Sequence, residues 1–140
     1  MGSISRNPTH MFLRNYNVSI GASNFGLVGE VKVLFDPITL GKDSLGRTIV
    51  GGMRFEASWQ VMQDTHLELK ALADNLKNGV ADTLTFSTLG EKLLIPGVKP
   101  YYKLELDGNG GNSKLLCRAD KIMSIDEFYN IMNSLPNIAP

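Results

Sequence analysis

The sequence predicts an α+β fold rich in strand: a small antiparallel β-sandwich or barrel with one helix packed on it and a short C-terminal helix. Three observations carry this expectation. Apolar residues alternate with polar ones at period two in several segments, as half-buried strands require. Two segments instead repeat apolar residues at i, i+3, i+4 and i+7 behind helix-capping residues. Glycine, asparagine and proline clusters punctuate the chain between these segments.

Residues 1–9 are polar and broken by Pro8, and are expected to form a flexible arm. From 12 to 20, Tyr16, Val18 and Ile20 alternate with Asn15, Asn17 and Ser19, which gives a first strand. A turn cluster at 21–24 leads into a second strand, with Leu27, Gly29, Val31, Val33 and Phe35 on one face and Glu30 and Lys32 opposite. The two form a predicted β-hairpin.

Asp36-Pro37 ends that strand. The stretch 36–52 is rich in glycine, with Ile38, Leu40, Leu45, Ile49 and Val50 its main apolar residues. It is expected as a long exposed loop, of the length that is functional or orders against a partner. A short strand at 48–50 would instead make it a long exposed hairpin. Met53, Phe55, Ala57, Trp59 and Val61 then alternate strictly with Arg54, Glu56, Ser58 and Gln60, giving an antiparallel strand with one wet face.

Thr65 and Glu68 form a capping-box pair, with Asp64 a rival N-cap, and Leu69, Leu72, Ala73 and Leu76 form a helical stripe ended by Asn78-Gly79. Strands are expected at 83–88, 93–95 and 101–106, and a hairpin turn at 107–112 leads to a return strand at 114–121 with Leu115, Cys117 and Ala119 inward. Ser124 and Glu127 make a second capping box, with Met123 and Phe128 as its hydrophobic staple. Phe128, Ile131, Met132 and Leu135 line the C-terminal helix, which Pro136 stops.

All 140 residues are expected in a single domain. Fourteen basic and fourteen acidic residues cancel, which argues against sequence-specific nucleic-acid binding and against an anionic membrane surface. Weak self-repulsion slightly favours association. One cysteine, Cys117, allows neither an intramolecular disulfide nor a Cys-rich zinc site, and fits a reducing compartment. No leader is expected at residues 1–10, which lack an apolar stretch, and no apolar run approaches the ~18 residues of a membrane helix.

No catalytic, cofactor-binding or metal-ligating residue is assigned. His10 lies in the flexible arm, and His66 sits exposed in the first turn of a helix with no second ligand at helical spacing. Cys117 points inward with Leu115 and Ala119 as a small hydrophobe. Glu105 with Asp107 is a solvated face, and Asp126 with Glu127 suits the positive end of a helix dipole. The run Gly108-Asn109-Gly110-Gly111 opens no helix, and Gly41-Lys42 lacks phosphate-loop spacing. Asp107, Asn109 and Asn112 suggest a calcium loop, but Arg118 stands where its twelfth-position glutamate belongs. Tyr101 and Tyr102 point to opposite faces and cannot form one stacking platform, and Trp59 reads as core.

The runs Tyr16-Asn17-Val18-Ser19-Ile20-Gly21, Gly26-Leu27-Val28-Gly29-Glu30-Val31-Lys32-Val33, Pro37-Ile38-Thr39-Leu40 and Gly51-Gly52-Met53 carry a resemblance. This first third of the chain resembles the opening of phage tail tube proteins, especially those of contractile tails. The C-terminal helix departs from that pattern, since the tube fold usually ends in sheet. The resemblance implies a structural virion protein without cofactor or catalytic residue, assembled in the host cytoplasm into the tail. Subunits would form rings, expected to be sixfold, that stack into a tube, with 36–52 reaching a neighbour and 1–9 ordering on assembly. Other tail or baseplate proteins would be its further partners. Two other readings compete: a head–tail or baseplate adaptor, and a small ligand-binding domain with a pocket between helix and sheet, either of them cytoplasmic if not viral.

Overall fold

The computed structural model describes residues 3–6, 10–63, 79–105, 113–134 and 138–139. The elements in chain order are β1 (Ser3–Arg6), β2 (His10–Ile20), β3 (Ser23–Lys42), β4 (Thr48–Gln63), β5 (Asp82–Thr88), β6 (Glu91–Glu105), β7 (Ser113–Met123), α1 (Ile125–Ser134) and β8 (Ile138–Ala139). Among the described residues the fold is mostly antiparallel β-sheet with one short C-terminal helix. The helix expected near 65–78 and the turn expected at 107–112 lie outside the described residues.

The sheet runs β3-β4-β7-β6-β5-β2-β1-β8, and β3 also pairs with β2, so the pairings from β2 through β3, β4, β7, β6 and β5 return to β2. One edge of β2 is shared: Met11 to Arg14 pair with β1, while Asn17 to Ile20 pair with β5. The β1–β8 pairing is parallel. Part of the expected flexible arm is therefore strand, because the free edge of β2 offers Ser3–Arg6 a main-chain partner.

The inward rows fill one core. β4 contributes Met53, Phe55, Ala57, Trp59 and Val61, all buried, and β7 contributes Leu115, Cys117 and Ala119, as the alternation predicts. Val18, Val31, Leu84, Phe86, Ile95 and Val98 join them. Each such large aliphatic or aromatic side chain stabilises the fold by roughly 1.5–3 kcal/mol when taken wholly from water.

β3 departs from the predicted alternation. Leu27, expected inward, is 67% exposed, whereas Phe25 and Val28 are buried. The register with β2 shifts between Val18 and Ser19, which leaves Phe25 as an extra residue beside Gly26 at φ +73°. Further along, Asn15 adopts φ +62°, so that Leu13 and Tyr16, three apart, both face inward. Bulges of this kind reset which residues face the core.

The strands expected at 93–95 and 101–106 are one strand, β6. It pairs with β5 up to Val98 and with β7 from Lys99 onward. Pro96 falls in the register irregularity before that handover, next to Gly97 at φ +76°. Proline is tolerated there because no ladder hydrogen bond is lost.

At the N-terminus of α1, the Glu127 N–H donates to Ser124 Oγ at 3.1 Å. Phe128 packs edge-to-face on Phe35 with ring centroids 5.0 Å apart, and Ile131 is buried. Lys121 Nζ donates to Pro96 O and to Glu127 Oε1, each at 2.5 Å, and so ties the helix to β6 and β7.

Candidate interaction surface

The residues weighed for chemistry that fall among the described ones are not gathered into one site. Cys117 lies opposite Trp59 and Tyr102 in the ladders. Burial pushes its thiol up to about 12, so the nucleophilic thiolate is suppressed at neutral pH. His10 begins β2 and stacks near Phe12, while His66, Asp107, Asn109, Asn112 and the glycines at 108, 110 and 111 lie outside the described residues. Glu105 pairs with Lys103 at 3.6 Å, and Glu127 with Lys121. Arg118 covers the Tyr101 ring at 4.8 Å on the outer face, while Tyr102 packs against the core on the other. Among the described residues no group of three or more His, Cys, Asp or Glu is placed to hold a metal. No helix among them is long and apolar enough to cross a membrane.

What stands out is the way β3 and β4 are offset. They pair from Lys32↔Ser58 to Lys42↔Thr48. Only 23–34 of β3 pair with β2, and only 53–63 of β4 pair with β7. The two strands therefore run on as a ribbon past their neighbours, and 36–52 is the long exposed hairpin of the second reading, with strand from Thr48, rather than a plain loop. Strand pairing and the tip described below overcome the glycines there.

The hairpin tip is built around Asp43. Its Oδ1 accepts from the N–H groups of Leu45 and Arg47 at 2.9 Å each, and its Oδ2 accepts from Arg47 Nε at 2.7 Å. The Asp43 N–H donates to Arg47 O at 2.8 Å. These hydrogen bonds, led by that from the Arg47 N–H, hold the Asp43 carboxyl below its ordinary range. On this ordered ribbon Leu40 is 70%, Leu45 75%, Ile49 41% and Val50 40% exposed.

At the opposite end of the same strand pair the ladder opens. The β3–β4 pairing ends at Lys32↔Ser58, and residues 23–31 of β3 and 59–63 of β4 do not continue it. A cleft of about 650 Å³ lies between them, walled by Phe25, Val28 and Gly29 on one side and Trp59 and Val61 on the other. Phe25 meets Trp59 edge-to-face, with centroids 5.5 Å apart. Trp59 Nε1–H is buried and has no acceptor among the described residues. A buried donor left unpaired costs about 1–3 kcal/mol. Alternation correctly placed Trp59 in the core, but no local pattern marks the wedge, because it depends on where two long-range ladders part.

Comparison of the chain with protein-family models, with curated proteins and with solved structures finds no match.

Proposed function

We propose that the chain is a self-assembling structural subunit that stacks into an open-ended polymer of the tail-tube kind, in a virion tail or a related injection device. The β3–β4 hairpin carries this reading. A two-stranded ribbon is at best marginally stable in water alone. Here it is held in a defined shape by the Asp43 tip, yet Leu40, Leu45, Ile49 and Val50 face solvent. Apolar surface kept in a fixed shape marks a contact with another protein. The ring of pairings is read as a flattened six-stranded barrel, a rigid body for such a hairpin to project from. The equal numbers of acidic and basic residues let copies approach without strong mutual repulsion.

Sedimentation velocity and negative-stain microscopy over a concentration series test the proposal. Rings or tubes that lengthen with concentration are the expected result. A monomer at every concentration counts against it, and a discrete closed oligomer transfers the reading to an adaptor.

A further inference from the structure

The outer side of the sheet is divided by charge. Directly paired residues share a face. One row across four strands runs Leu27 on β3, Asn17 on β2, Ser87 on β5 and Lys92 on β6. The next runs Asn24, Ser19, Thr85 and Leu94 in the same order. Of these eight side chains only Lys92, at the margin, is charged. Leu27 is 67% and Leu94 50% exposed, so the face is open to solvent. Across β4, β7 and β6, by contrast, Glu56, Asp120 and Lys99 stand side by side. The difference begins in the sequence, since 15–29 contains no charged residue and 82–88 contains Asp82 alone. We propose that the uncharged outer face of β3, β2, β5 and β6 receives the β3–β4 hairpin of a second copy, an inference that rests on the assembly reading and names its contact.

Hairpin and face suit each other chemically. Leu40, Ile49 and Val50 leave water with least penalty against a surface where no ion has to be stripped of its hydration. The centres of protein interfaces are depleted of charged residues for this reason. Leu27 and Leu94 supply apolar contact, and the short amide and hydroxyl side chains between them let a ribbon lie across the strands. The formal charges complement as well. Lys42 and Arg47 outnumber Asp43 at the hairpin tip, while the exposed Asp82 stands at the rim of the face, where β5 begins beside Gly21. Complementarity of this kind sets orientation more than affinity.

Placement adds a directional consequence. From Leu27 to Lys42 near the tip is roughly 50 Å along β3, at about 3.3 Å per residue. Hairpin and receiving face therefore lie toward opposite ends of the strand. Contacts of this head-to-tail type do not satisfy each other in pairs and propagate along an axis.

A head-to-tail contact is tested by complementation between two damaged copies of the full chain. Leu27→Lys places a cation on the receiving face, and Leu45→Asp spoils the hairpin tip. Each variant keeps its circular dichroism and, alone, raises the half-assembly concentration by more than about tenfold in sedimentation velocity. Mixed in equal amounts, they form a discrete pair of chains and nothing longer, because the intact hairpin of Leu27→Lys docks on the intact face of Leu45→Asp and the two damaged surfaces are left outside. Should Leu27→Lys lose its native spectrum, Leu94→Lys takes its place with the same expected outcome. A Leu27→Lys chain that polymerises as the parent does overturns the receiving face and leaves the assembly reading standing. A mixture that stays monomeric where the parent polymerises does the same. A parent chain that never assembles overturns both.

Discussion

Gly21 holds φ +54° at the turn between β2 and β3, where its N–H donates to Thr83 O at 3.1 Å and a Cβ would fall on the Asp82 carboxylate. An L side chain in that conformation costs about 1–2 kcal/mol before any clash. Gly21→Ala is therefore expected to lower stability by at least about that much in urea unfolding. Gly29→Ala, with open space around it, is expected to stay within about 0.5 kcal/mol. Cys117 gives a pH prediction at the same scale. Its thiol ionises near 9.0 when unfolded and at about 12 when folded, because burial disfavours the thiolate. Between those values the unfolded chain has lost a proton that the folded chain keeps, so this contribution is complete below pH 9 and fades as pH rises toward 12. Denaturation across that window is expected to show a falling stability whose slope is shallower in Cys117→Ala. An equal slope in both proteins would remove the thiol as its source. The inward position of Cys117 was legible because β7 alternates without a bulge. Leu27 was misplaced because the register shift at Phe25 and the left-handed Asn15 leave no mark in hydropathy.

Elements show where local pattern ends and long-range pairing begins. β4 was legible because one of its faces is wet along the described side chains. β6 was divided in two by its prolines, since nothing near Pro96 in sequence announces that the strand changes partners from β5 to β7 there. Likewise the glycines of 36–52 left a loop and a long hairpin both open, and cross-strand pairing of β3 with β4 makes it the hairpin. The docking of α1 is tertiary too. Lys121 is only 13% exposed at its side chain and bonds both a β6 carbonyl and the helix carboxylate of Glu127. Removing a charged hydrogen-bond donor of this type costs about 1.5–3 kcal/mol. Lys121→Ala is thus expected to lower the unfolding midpoint and to raise hydrogen exchange selectively in 125–134. Uniform exchange across the sheet would mean that the lysine does not anchor the helix.

For the whole molecule, the decisive quantity is how differently one substitution acts on folding and on association. Leu45 caps the hairpin at 75% exposure and adds almost nothing to the core. A polar replacement there should change monomer stability by no more than about 0.5 kcal/mol, as at most surface sites. In an interface the same replacement would place a carboxylate in an apolar setting, where an unpaired charge is costly. Under the proposed assembly, Leu45→Asp is therefore expected to unfold at the same temperature as the parent and to remain monomeric at any concentration where the parent polymerises, as read by sedimentation. The effect should also respond to co-solvent. Association driven by apolar burial strengthens in sulfate, whereas surface ion pairs weaken as salt rises. Parent assembly that grows with sulfate and is absent in Leu45→Asp would place the contact on the exposed face of the hairpin. Assembly that dissolves in moderate salt, with Leu45→Asp indistinguishable from the parent, would move it to the charged outer face around Arg54, Glu56, Lys99 and Asp120, which surround a concavity of about 480 Å³.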